Sequence, residues 1–241
     1  PRFRRTALAS RCLKPMIPAA GYGELMLPHT EHTPQPLLQG AGIPLIEYHL
    51  LGLASAGFEQ VVINVSHLGW KIQEYCDDGS RWGLDITYSP EEQPLETAGG
   101  IQRALPLLGE QPFLVVNGDV WIDFPFRRLL NRPLRRWESA RLVMVDNPPQ
   151  HPRGDICLLA QGRVSRRPSQ GKGHTYAGRG IFTPAFFADV APGKLALRPL
   201  LDAAIDAGRL GGEHSRGDWE DVGTPERLAA LDARIRSEGH T

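Results

Sequence analysis

Apolar residues along this chain fall in two alternating rhythms. Residues 61–65 (VVINV) and 113–117 (FLVVN) are short, β-branched or continuously apolar runs. Such runs read as strands buried on both faces. Residues 16–20 (MIPAA) form a shorter apolar run that leads into Gly21-Tyr22-Gly23, a first strand feeding a glycine loop. Residues 85–88 alternate as a half-buried strand does. Between these strands, residues 45–56 carry apolar positions at helical spacing and end at Gly57, a residue suited to the left-handed position after a helix. Residues 67–76 and 97–108 are the next predicted helices.

The second half is less regular. It predicts a strand at 140–146, a hairpin within 155–166 turning at Gln161-Gly162, a strand at 174–182, a helix at 195–207 and a short strand at 211–214. A last helix spans 224–236, with Thr224 as N-cap and Pro225 at the first helical position. Residues 169–173 read as a mobile loop. Strand and helix in alternation imply right-handed crossovers. The expected fold is therefore α/β: a Rossmann-like, mostly parallel sheet flanked by helices, with a small β-rich part.

Composition narrows the class. The 241 residues contain 27 Lys and Arg against 27 Asp and Glu, a net charge of zero. That argues against a nucleic-acid partner held by general phosphate attraction, while a small anionic ligand needs only local charge. No apolar run reaches the length of a membrane span. Cys12, Cys76 and Cys157 are far apart and form no zinc spacing, so a reducing cytoplasm is the expected setting. Residues 1–13 are basic through Arg2, Arg4, Arg5 and Arg11. They read as a loosely packed tail, or an amphipathic transit peptide, ahead of one domain over 14–241.

Ligands of open parallel sheets sit at the carboxyl ends of the strands. Three segments fall there: Ala19-Ala20-Gly21-Tyr22-Gly23, residues 91–100 (EEQPLETAGG) and Asn117-Gly118-Asp119. The glycines allow close backbone approach to a ligand. Their spacing fits neither a Walker A loop nor the dinucleotide fingerprint, which makes a dinucleotide-dependent oxidoreductase a distant reading. Asp119 after a buried strand, and Asp221 before the last helix, are the kind of carboxylate pair that binds Mg²⁺. Residues 91–100 place Glu91 ahead of a glycine-rich helix start. Helix N-termini favour phosphate, and Glu91 is a candidate acceptor for a base N–H. His151, Gly154, Asp155 and Gly178 are candidates for shaping a sugar pocket. Each segment taken alone also reads as an ordinary turn or cap.

In order along about nine-tenths of the chain, AAGYGE, TPQPL, SPEEQPLETAGG, FLVVNGDVW, VDNPPQHPRGD and GDWEDVGT together resemble the sugar-1-phosphate nucleotidyltransferases. The closest resemblance is to the bacterial N-acetylmuramate-1-phosphate uridylyltransferases of cell-wall recycling. The resemblance implies a GT-A-like fold whose β-rich part binds sugar. It implies transfer of a nucleotidyl group from a nucleoside triphosphate, with UTP first, to a sugar 1-phosphate such as N-acetylmuramate 1-phosphate, releasing pyrophosphate. Asp119 and Asp221 match the metal positions, with Mg²⁺ as cofactor. Ala19, Ala20, Gly21, Gly23, Glu91, Thr97 and Gly99 match the nucleotide side. Asn117, Gly154, Asp155 and Gly178 match the sugar-phosphate side. A monomer or weak homo-oligomer is expected.

The family loop carries an Arg before its Met, often a second basic residue after it, and a later Lys. Here those positions are Leu25, Leu27 and Gln35. Loss of one preorganised charge partner costs on the order of 10²–10³ in rate. Two alternatives therefore stand beside the uridylyltransferase reading: a catalytically weakened homologue that binds nucleotide sugars, and a mannose-1-phosphate guanylyltransferase-like enzyme, since Glu91 also suits guanine N–H groups.

Overall fold

A computed structural model describes residues 13–238; most of the expected basic tail lies outside them. The first strand, β1 (Lys14–Pro18), is followed by a tiny hairpin of β2 (Gln39–Gly40) and β3 (Ile43–Pro44), then α1 (Leu45–Ala56). Next come β4 (Gln60–Val65), α2 (Gly69–Cys76), β5 (Asp85–Pro90), α3 (Glu96–Leu108), β6 (Phe113–Val116), β7 (Val120–Ile122) and α4 (Phe126–Leu130). The second half holds β8 (Ala140–Val145), β9 (Ile156–Leu158), β10 (Val164–Arg166), β11 (Thr175–Phe182), α5 (Arg198–Asp206), β12 (Leu210–His214), β13 (Trp219–Asp221) and α6 (Pro225–Glu238).

Seven strands form one sheet in the order β12-β8-β11-β6-β1-β4-β5. All neighbours are parallel except β11, which runs antiparallel between β6 and β8. The expected mostly parallel sheet is present, and its reversed strand is new. Both faces are covered, as the continuous apolar runs require. On β6, Leu114 and Val116 pack with Ile46, Leu50 and Leu53 of α1, whereas Phe113 and Val115 pack with Ile101, Ala104 and Leu108 of α3. Each buried Leu, Ile, Val or Phe among these contributes roughly 1.5–3 kcal/mol.

Element ends shift where a backbone group finds a partner outside the ladder. The first strand ends at Pro18 rather than Ala20, because the Ala19 N–H donates to the Asn64 side chain. The helix expected from residue 195 begins at Arg198. Leu195 is instead tied to the start of α3, where Ala98 and Gly99 N–H groups donate to its carbonyl. Pro199 then stands at the start of the shortened helix. After α1, Gly57 takes φ 93° and its N–H reaches the helix carbonyls, the expected stop. The hairpin of β9 and β10 turns through Gln161 and Gly162, both at positive φ.

Candidate active site

The small antiparallel pair of β7 and β13 builds the centre of the site. Asp221 sits opposite Val120 in its register, and the Val222 N–H donates to the Asp119 carbonyl at 3.0 Å. Two carboxylates 102 positions apart in the chain are thereby placed on one wall. Burial, and then the Asp221 charge, push the Asp119 carboxyl up to about 6. Asp221 is held by Arg227 in the first turn of α6: one guanidinium nitrogen reaches its Oδ2 at 2.8 Å and its carbonyl at 3.0 Å. Arg227 carries no signal in the sequence beyond its spacing of six from Asp221.

A cleft with two lobes opens on this wall, and Asn117 and Asp119 belong to both lobes. The first lobe is walled by Ala19, Ala20, Gly21, Glu91 and Thr97, with Gln35 and Asn64. The second is walled by Asp155, Gly178, Tyr176, Trp219 and Asp221. Of the thirteen residues matched to metal, nucleotide and sugar-phosphate positions, ten line the two lobes, and Gly23, Gly99 and Gly154 line neither. Their glycines answer to packing. A Cβ on Gly99 would collide with the Gly193 carbonyl, and one on Gly154 with the Asn147 side chain. Gly23 takes φ 65°, and a Cβ there would lie 2.8 Å from Thr30. Gly178 serves both ends: its carbonyl accepts the Asn117 N–H at 2.8 Å, and a Cβ would press on Asn117 at 3.0 Å.

Glu91 lines the first lobe, but both of its oxygens are already engaged. Asn64 Nδ2 donates to Oε1 at 2.7 Å, and the Leu95 N–H donates to Oε2 at 2.9 Å. Asn64 Oδ1 in turn accepts the Ala19 N–H at 2.7 Å. This buried relay fixes the glycine loop to the N-terminus of α3. Asn64 is a polar break in an apolar strand, the one sequence signal that marks the relay. Beside it, Glu96 takes φ 59°, unusual for a residue with a side chain, and pairs with Lys194 at 3.5 Å.

On the sugar-side lobe, Asp155 Oδ2 accepts the Tyr176 N–H at 2.9 Å, and Oδ1 lies 3.1 Å from His151 Nε2. Trp219 Nε1–H donates to the Ala177 carbonyl at 3.2 Å. Where the family pattern has cations, Leu25 is 76% and Leu27 53% exposed, so neither is a core residue. Gln35 Nε2 donates to the Val222 carbonyl at 2.8 Å, tying the loop to the turn that carries Asp221.

The donor set suits a hard divalent cation. Two carboxylates repel one another across the wall, and Asn117 Oδ1 is a buried acceptor without a partner. Mg²⁺ typically takes one or two carboxylates and leaves its other positions to water and phosphate.

The sequence profile of the Nucleotidyl transferase family matches residues 14–238, so the chain belongs to the nucleotidyl transferase family. It is 47% identical to the N-acetylmuramate alpha-1-phosphate uridylyltransferase of Neisseria meningitidis, covering 92% of this chain and 97% of that protein. The protein of the same name from Caulobacter vibrioides is 33% identical, over 91% of this chain and 96% of its own length. The solved structure of a UDP-glucose pyrophosphorylase with UDP-glucose superposes with a TM-score of 0.78 at 18% identity, over 94% of this chain and 99% of that one. At that identity the likeness concerns the fold.

Proposed function

We propose that this nucleotidyl transferase moves a uridylyl group from UTP to N-acetylmuramate 1-phosphate, releasing pyrophosphate. The observation that carries the reading is the convergence of Asp119 and Asp221 between two lobes at the strand ends. The choice of base and sugar follows the two uridylyltransferase relatives, which match nearly end to end. The base and ribose occupy the lobe of Ala19, Ala20, Gly21 and Thr97. The sugar phosphate occupies the lobe of Asn117, Asp155 and Gly178. Asp119 and Asp221 hold Mg²⁺, which supplies charge neutralisation on the phosphate oxygens. The sugar-phosphate oxygen attacks the α-phosphorus in line, and the P–O bond to pyrophosphate breaks. Free Cys76 and Cys157 accord with a reducing cytoplasm.

The chain's own contribution is positioning. Glu91 acts through Asn64 on the Ala19 backbone and through the Leu95 N–H on the start of α3. Arg227 orients Asp221. Leu25 and Gln35 bring no positive charge to the triphosphate, so turnover is slow for this chemistry. Pyrophosphate release from UTP, Mg²⁺ and N-acetylmuramate 1-phosphate tests the reading. The double change Leu25→Arg with Gln35→Lys should raise kcat by on the order of 10–10³. No pyrophosphate from either protein, with this or any other sugar 1-phosphate, would refute the activity. Release by the wild type with no gain in the double variant would refute the account of its rate.

A further inference from the structure

Outside both lobes of the cleft, three strand ends bring Asp146, His174 and His214 together. Asp146 follows β8, His174 precedes β11, and His214 closes the edge strand β12. Each offers one potential ligand atom, and the three atoms lie within 4.8 Å of one another. His214 Nε2 is 2.9 Å from Asp146 Oδ1, and the two imidazole rings are 5.0 Å apart. The cluster also contains an unexplained polar atom: His174 Nδ1 is buried and has no hydrogen-bond partner. A buried polar atom left unpaired costs about 1–3 kcal/mol, so an unfilled role is written into the cluster.

The frame around it is built. Asn147, next to Asp146, donates to the Gly173 carbonyl at 2.8 Å and accepts the Thr175 hydroxyl at 2.9 Å. Those two contacts clamp His174 from both sides. The N–H of Ser215 donates to the Met144 carbonyl at 2.8 Å, which fixes the backbone beside His214. Asp146 is the adjustable member, with its side chain 82% exposed.

We propose that Asp146, His174 and His214 form a second metal site, selective for Zn²⁺ and similar transition ions over Mg²⁺. Two imidazole nitrogens and one carboxylate oxygen are ligands such ions prefer, whereas Mg²⁺ prefers an all-oxygen set. Ligand bonds of ~2.0–2.1 Å in a tetrahedron put ligand atoms about 3.3 Å apart. The His214–Asp146 pair is already near that value at 2.9 Å, and rotation of exposed Asp146 together with small turns of the two imidazoles would bring in the other pairs from within 4.8 Å. Water fills the remaining position. The site staples β8, β11 and β12 where β11 enters the sugar-side wall, since Tyr176 N–H two residues on holds Asp155.

The test uses the full chain, stripped with chelator and then held in saturating Mg²⁺ to occupy the catalytic carboxylates. Zn²⁺ titration should show one tight site. A hundredfold excess over Kd should raise the melting midpoint by roughly 5–10 °C. Co²⁺ in place of Zn²⁺ should give visible ligand-field absorption. His214→Ala and His174→Ala should each weaken Zn²⁺ by more than the ~10–100-fold that loss of an outer-shell partner costs. His214→Gln, on the half-buried edge, serves if His174→Ala does not fold. Asp221→Asn should leave Zn²⁺ binding unchanged. Unchanged Zn²⁺ affinity in the histidine variants, or binding lost only in Asp221→Asn, would overturn the proposal.

Discussion

The relay through Glu91 makes a sharp prediction because it needs a side chain that only accepts. Three donors converge on it in sequence: the Ala19 N–H on Asn64, the Asn64 amide on Glu91, and the Leu95 N–H on Glu91. A carboxylate satisfies the last two together. Glutamine has nearly the same shape but presents one NH₂, which must face either the Asn64 amide or the Leu95 N–H. Rotating the Asn64 amide moves the conflict to Ala19 without removing it. Glu91→Gln therefore loses one hydrogen bond to a charged group in a buried setting, about 1.5–3 kcal/mol. At ~2–4 °C per kcal/mol for a chain of this size, the melting midpoint should fall by roughly 3–12 °C. Thermal unfolding with and without UTP reads this directly, with exposed neighbour Glu92→Gln as the control that stays put. A midpoint unchanged within about 1 °C, together with an altered base preference, would show that Glu91 is a base contact rather than a positioning residue.

Other consequences test neighbouring parts of the molecule. Gly100→Ala would ordinarily stabilise a helix by up to about 1 kcal/mol; here the new Cβ meets Asn64 and Glu91 at 2.7 Å each, so urea unfolding should show a loss of ~1–3 kcal/mol instead. Asp119 has a raised folded-state pKa, so its ionised form opposes folding above pH 6 and its protonation favours folding below. Asp119→Asn in chelator should accordingly melt higher than wild type at pH 8, with the gap closing as pH falls through 6 towards 4. The same proton competes with Mg²⁺, so calorimetry should find affinity nearly flat above pH 7 and falling up to tenfold per unit below 6. A gap that widens on acidification would contradict the sign of this argument.

Much of the scaffold is readable from local pattern. Residues 61–65, 113–116 and 140–145 are strands because their apolar side chains suit burial on both faces, and α1 stops where Gly57 permits a left-handed residue. The direction of β11 is not readable, because hydrophobic periodicity is the same in parallel and antiparallel strands. Nor are β7 and β13, three residues each, since pairs so short have no periodicity of their own. Gly99 and Gly154 illustrate the converse: a glycine beside a site looks like a ligand contact until the backbone packed against it is seen.

The layered α/β frame, the cleft segments at strand ends, and the absence of charge at Leu25, Leu27 and Gln35 are legible in the residues alone, because side-chain chemistry and periodicity are local properties. The meeting of Asp119 with Asp221, the engagement of Glu91 by Asn64 and Leu95, and the approach of Asp146 to two histidines at other strands emerge only on folding. Those are distances between residues far apart in the chain, and they exist only once the sheet has set its order and register.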